Sequence, residues 1–530
     1  MAILKRHHKN QSVNSILLLT ALFCAVFPVQ SRAQSCDVYK ETIQTYKRPD
    51  FGSYNLWDRT VGEIGAYEDF TAAAPLFAID GYLLAGARQT HEGAPALLYL
   101  VGFDKRGRDR WEKVYDIPGF QRAIKILPYH KVEDGQKPDE ISPELYAVFV
   151  NLYDDVRAVK QLNARRIGMI IIDEKGEKLD EKIIEDPKKN IQISDVIEAL
   201  DGRNFVLAAG GAPVQRTRGA VSGELFLLSP EGKVLKKRAF QPGLENEFNS
   251  VQSFDGRSYV VSGYLRTEGG RKAGWLARVG SDFELVWQQQ YPRGVSAVIR
   301  GATPFQGQYI LSVGTVAAPG EHPNGGWVML VDAASAKVEW QRYYQQGDMH
   351  LDGLAIDGRD DGIISILLQA EPTEESLHAA KMIDAAKMSM QVKQPGIEEN
   401  PAPPSGEADG MDMGENLLPS TPDYSPYVMA VTLSPRGGLL HTDTYFAGEG
   451  AWVSGWFMGE HSERIMYGSS LIEGREDVSA SPPAQDGEVK NPDDTGSAPD
   501  LIKDRQGWLL AGEGAERYKD PCIQPVKVLP

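Results

Sequence analysis

The chain has 530 residues, with 56 Lys and Arg against 73 Asp and Glu, a net charge of −17 and 3 Cys. A surface this acidic repels phosphate backbones, which excludes nucleic acid as an expected partner. A chain of this length buries a large core and ordinarily splits into several domains, unless it is an array of repeats.

Residues 1–15 carry Lys5, Arg6 and Lys9 and no acid, and the apolar run ILLLTALFCAVFPV and then QSRAQS follow. Basic, apolar and small-residue segments in that order predict a secretory signal peptide over residues 1–33, cut after Ala33. The apolar run is short for a membrane span, and RAQSC lacks the apolar and small residues that precede a lipidated cysteine. Without residues 1–33, 52 basic residues face 73 acidic ones, a net charge near −21. The mature chain is expected to be soluble, without a membrane span, and periplasmic or secreted.

One phrase then recurs along the chain: DGYLLAG at 80, NFVLAAG at 204, SYVVSG at 258, QYILSVG at 308 and GWLLAG at 507. Weaker copies are LYAVFV at 145, GIISILL at 362 and RIMYGS at 464, which makes eight in all. Each is a short β-rich run, several are entered through Asp-Gly, and many close on Gly, the pattern of strands bounded by turns. Clear neighbours stand roughly 50 residues apart, a propeller-blade period.

A second phrase follows the first. It reads LLYLVGFDKRGRDRWEKVY from 97, GELFLLSPEGKVLKKRAF from 223, GWLARVGSDFELVWQQQY from 274 and GWVMLVDAASAKVEWQRYY from 326. Looser copies begin at 165 and 425. Strand, turn and strand make up each copy, so one repeat holds about four strands. Trp111 and Tyr115, Trp287 and Tyr291, and Trp340 and Tyr344 share one spacing. In a strand that spacing puts both rings on one face, where they fill the gap between stacked sheets.

The copy at 507 has no second phrase after it, and NLWDRTV at 55–61 has no first phrase before it. The expected fold is therefore all-β: a single β-propeller of seven or eight four-stranded blades over residues 34–522, closed by pairing of N- and C-terminal strands. Residues 523–530 form a tail. Cys36 and Cys522 flank the propeller, and an oxidising compartment would let them bridge and tie a loop of roughly 490 residues. Two free thiols are the alternative. The phrases DGYLLAG with LLYLVGFDKRGRDRWEKVY, and QYILSVG with GWVMLVDAASAKVEWQRYY, resemble bacterial β-propeller repeats of the quinoprotein-like and WD40-like superfamily. The resemblance implies the fold; its members include enzymes, scaffolds and binding proteins. Quinoprotein dehydrogenases carry a longer tryptophan docking motif, a calcium site and often adjacent cysteines. This sequence has no such constellation, so no cofactor is expected.

Two segments interrupt the repeat. Residues 371–424 begin with a helix-compatible stretch and continue Pro-, Gly- and acid-rich, and 473–500 is a second acidic insert; both are expected to be largely disordered. The first holds Met388, Met390, Met411 and Met413, with Met382 and His378 nearby. Met-x-Met spacing suits soft Cu(I); methionines gathered in a weakly constrained segment are the plainer explanation. Asp360-Asp361 and Asp493-Asp494 lack the ordered oxygen spacing of a calcium loop. G-x-S-x-G, H-E-x-x-H, P-loop and Cys-x-x-Cys motifs are missing. The expected function is an exported, non-enzymatic scaffold or binding protein that holds another envelope or secreted protein on a propeller face. The alternative is a propeller enzyme with its site at the channel mouth, a quinoprotein oxidoreductase or a carbohydrate-acting hydrolase or lyase.

Overall fold

A computed structural model describes residues 41–42, 55–62, 66–77, 80–91, 94–129, 145–153, 165–186, 189–213, 221–317, 323–346, 349–379, 381–382, 425–445, 450–458, 464–472 and 504–512. Most of them lie in antiparallel strands. Four-stranded meanders follow one another through 120–184, 189–240, 245–291, 296–345 and 349–445, each ordered in space as in the chain. Glu41–Thr42 adds in parallel to the outer edge of the 296–345 sheet.

The remaining sheet has eight strands. Tyr67–Leu76, Gly81–Gln89, Leu97–Asp104 and Asp109–Tyr115 make one meander. Gly450–Met458, Arg464–Ile472 and Asp504–Gly512 continue the sheet, and Asn55–Val61 pairs antiparallel with Asp504–Gly512. A single bridge, Arg505 to Tyr67, joins the two parts. The result is an all-β propeller of four-stranded units in six sheets. The expected count of seven or eight separate blades is not matched. Counting phrases overcounts, because the copies at 464 and 507 are neighbours in one sheet, Ile465 opposite Ala511.

The recurring phrases have separate physical causes. The first forms the second strand of each unit, which is buried on both faces, as at Leu83, Leu84 and Ala85; such strands read as apolar runs. Its closing glycine meets the strand before it. A Cβ on Gly86, Gly263, Gly314 or Gly468 would overlap the carbonyl oxygen of Asp69, Glu247, Val298 or Trp452 respectively. The second phrase turns on a capped hairpin. Asp104 Oδ1 accepts from the N–H groups of Arg106 and Arg108, and Asp173 Oδ1 from those of Lys175 and Glu177. Ser229 and Ser434 cap the equivalent turns at Lys233 and Gly438.

The tryptophans couple one unit to the next. The Trp111 indole N–H donates to Glu174 O at 3.1 Å, and the Tyr115 hydroxyl to Gly176 O, both in the following unit's capped turn. Trp287 and Tyr291 do the same at Ala333 O and Ala336 O, each at 2.8 Å, and Trp340 at Pro435 O. Among the described residues, seven clusters of buried apolar side chains fill the gaps between neighbouring units. One of them, with Phe70, Tyr99 and Ile465, lies between the units of the eight-stranded sheet. The first strands of successive units pack side by side, and Gly450–Met458 packs in turn on Tyr67–Leu76. These first strands line the candidate site.

Candidate functional site in the channel

Each first strand carries an extra residue at the same place, and Phe120–Tyr129 has a second at Gln121. Register shifts put Thr71, Ile124, Ser194, Asn249, Arg300, Leu354 and Ser454 out of step with the strands beside them. A bulge of this kind bends the strand and re-aims the side chains around it. Three of these seven bulges tie one unit to the next. Thr71 donates to Ala123 O, Ser194 to Phe248 O and Asn249 Nδ2 to Ile299 O, and each acceptor is the residue just before the next unit's bulge.

The residues just after the bulges continue this pattern. Asp195 is buried and accepts from Val196 N at 2.9 Å and from Val251 N, in the next unit, at 3.0 Å. Lys125 Nζ approaches it at 3.3 Å from the preceding unit, so one carboxylate ties three units together. Ser250 accepts from Ala302 N at 3.3 Å and bonds Ser262 at 2.7 Å. Elsewhere Asn151 and Gln369 hold the main chain of the next unit at Ile193 and at Ala451 and Val453.

These strands enclose a cavity of about 620 Å³, within the roughly 300–1,000 Å³ range of small-molecule sites. Its charged lining is Lys125, Asp195, Arg300 and Asp357, its aromatic lining Trp456, Phe457 and Tyr467, and Gln252, Thr303 and Ser454 add polar groups. Coulombic attraction to Asp195 holds the Lys125 ammonium above the ordinary lysine range. Burial pushes the Tyr467 hydroxyl up, and burial likewise raises the Asp357 carboxyl against the Gly358 N–H and Arg359, which pull it down.

Lys125 and Asp195 already serve each other. A lysine nucleophile needs a lowered pKa, and Lys125 has the opposite. A general base needs a free carboxylate, and the oxygens of Asp195 are taken by two N–H groups and an ammonium. The described lining holds no His or Cys. What remains are fixed charges, hydroxyls and aromatic faces around a hollow.

Met388, Met390, Met411, Met413, Cys36 and Cys522 lie outside the described residues, as do residues 1–40, 473–503 and 513–530. Residues 374–379 are helical, started by Thr373, whose hydroxyl accepts from Ser376 N at 3.1 Å. His378 lines a second hollow, about 920 Å³, with His350, Glu374 and Glu375. Among the described residues no group of three or more His, Cys, Asp or Glu could hold a metal ion. No described helix is long and apolar enough to cross a membrane. Sequence reading missed Lys125, Asp195, Arg300 and Asp357. The available signal was position: each lies in the strand just ahead of a copy of the first phrase.

No family model matches this chain, and no curated protein matches it in sequence. Among solved structures, the Dos1 propeller aligns over 78% of this chain and 82% of its own, at 11% identity and a TM-score of 0.38. Sqt1 from Chaetomium thermophilum aligns over 76% of this chain and 96% of its own, at 10% identity and a TM-score of 0.38. Puromycin hydrolase aligns over 74% of this chain and 49% of its own, at 10% identity and a TM-score of 0.40. Similarity at this level is one of fold alone.

Proposed function

We propose that this is an exported binding protein that holds a small polar ligand in its channel cavity without transforming it. The observation that carries the reading is the cavity of about 620 Å³, where fixed charges and three aromatic rings converge from several units. The test is equilibrium dialysis of the mature protein against a small-molecule extract of its own cells, read by mass spectrometry. Retention of an unchanged compound is the expected result. Consumption of a compound with appearance of a product would establish the enzyme alternative, which the raised Asp357 carboxyl favours as a proton donor. Retention of nothing, with a protein captured from the envelope instead, would establish a scaffold.

The finer architecture belongs to the same reading. The eight-stranded sheet is two blades, which makes seven, one for each of the seven apolar clusters. Pairing of Asn55–Val61 with Asp504–Gly512 supports a seventh blade closed by the N-terminal strand. A Cys36–Cys522 bridge would tie that seam. Thiol labelling of the denatured, exported protein without reductant tests it, and full labelling of both cysteines would remove the bridge from this account.

A further inference from the structure

The bulge position is put to different uses around the channel wall. Thr71, Ser194 and Asn249 spend their side chains on the neighbouring unit, and the same place in the 296–345 sheet holds Arg300. Among the described residues the Arg300 guanidinium makes no hydrogen bond or ion pair, and it is exposed at the cavity. The next position holds Asp195 and Ser250 in the two preceding units, where each ties down a backbone N–H. Here it holds Gly301. Neither room nor backbone demands that glycine: a Cβ would meet Leu354 O and Val313 Cγ1 at 3.6 Å, ordinary contacts, and its φ is not positive. Two structural side chains have thus been replaced by a free cation and an open space, side by side. A charged side chain on the channel wall that serves no structural link is a candidate for holding a ligand.

We propose that Arg300 and Gly301 form an anion subsite, and that its ligand is a small sugar acid whose carboxylate sits on the Arg300 guanidinium and whose ring lies against Trp456, Phe457 and Tyr467. This rests on the reading of the cavity as a binding site and adds the ligand's chemistry to it. The guanidinium offers a planar fork that matches a carboxylate. Lys125 is paired with Asp195, and Arg300, with Asp357 as the other charged group of the lining, makes no ion pair among the described residues; a single guanidinium suits a monoanion better than a phosphate dianion. Gln252, Thr303 and Ser454 line the same hollow, and their side chains form no hydrogen bond among the described residues, which leaves them for ring hydroxyls. Aromatic faces pack the C–H face of a sugar while their polar edges stay available. In a chain of net charge −17, an exposed cation at the cavity also draws an anion away from an otherwise repelling surface.

The test is calorimetric titration of the mature protein with glucuronate, galacturonate, glucose, glucose 6-phosphate and acetate. At least one uronate should bind, glucose and acetate about tenfold more weakly or worse, and glucose 6-phosphate no better than the uronate. Arg300→Gln should weaken uronate binding by about tenfold, the loss of one charge-assisted contact. Arg300→Lys should restore part of it, and both variants should melt with the parent. Gly301→Val, which fills the open space, should weaken the uronate without moving the melting temperature of the free protein. The proposal is overturned if neither uronate binds, if glucose binds as tightly, or if Arg300→Gln leaves the affinity unchanged. A neutral compound retained in the dialysis experiment would overturn it while leaving the binding function standing.

Discussion

At the outer edge, Trp111 reaches the next unit's hairpin turn through its indole N–H, and Trp287 and Trp340 repeat that bond with the same residue type at the same place. On the channel wall comparable links are made by Thr71, by Ser194 and Asp195, and by Asn249 and Ser250, while Ile124, Arg300, Leu354 and Ser454 make none among the described residues. Both regions hold sheets together. The outer one does so with an aromatic whose ring fills a gap and whose one donor needs one carbonyl, so few residues can replace it. The inner one needs only some short polar group near a bulge. Its residue types can drift, and they can be surrendered to a ligand.

Substitutions separate the two regions, and the largest effect belongs to the outer edge. Trp111 packs on the cluster between the 67–115 and 120–184 units, and Gly176 sits under its ring, where a Cβ would overlap it. Trp111→Ala should cost about 3 kcal/mol, the low end of the range for aromatic truncation because the ring is only partly buried. Urea denaturation would measure it; a cost below about 1 kcal/mol would mean that the outer locks are ornamental.

Asp195→Ala comes next. It strips the acceptor from two backbone N–H groups and leaves Lys125 without its partner. Orphaned buried donors cost about 1–3 kcal/mol each when water cannot reach them. The cavity admits water to part of this site, so the expected loss is about 2 kcal/mol by the same urea measurement.

Arg300→Ala and Gly301→Ala should fall within about 0.5 kcal/mol of the parent, as surface substitutions do. Here the comparison is most exposed. A loss of 2 kcal/mol at Arg300, similar to that expected at Asp195, would show the guanidinium to be one more structural link and the wall to be uniform.

The legibility of the molecule follows the same division. The outer locks, capped turns and doubly buried second strands repeat by residue type, so phrases such as DGYLLAG and the Trp-to-Tyr spacing announce a propeller. The count failed where two phrase copies, Arg464–Ile472 and Asp504–Gly512, lie side by side in one sheet. The channel wall is legible only in hindsight. A bulge adds one residue to a strand and breaks the alternation that would have revealed the face. Equivalent positions hold Thr, Ile, Ser, Asn, Arg, Leu and Ser, so no repeat emerges until register aligns them. Once aligned, Arg300 stands out as the charged member of that set.

The smallest expected effect is a pH slope, and it too sets outer turn against channel. In the turn, burial alone would raise the Asp104 carboxyl, but N–H groups of Arg108 and Arg106 and the Arg108 guanidinium bring it down to about 2. Its stabilisation is present above the unfolded value near 3.8 and is lost as pH falls through about 2. Asp357, on the channel, has the opposite sign: burial raises its carboxyl above 3.8. The folded chain then holds that proton more tightly than the unfolded chain does. Stability from the neutral form is complete below 3.8 and declines as pH rises through the folded value. Asp357→Asn keeps the neutral shape at every pH, so it should gain on the parent from pH 4 to pH 7 while Asp104→Asn does not. Urea midpoints for both variants at the two pH values provide the measurement. An unchanged difference between Asp357→Asn and the parent at pH 4 and pH 7 would place that carboxyl in water rather than in the cavity wall.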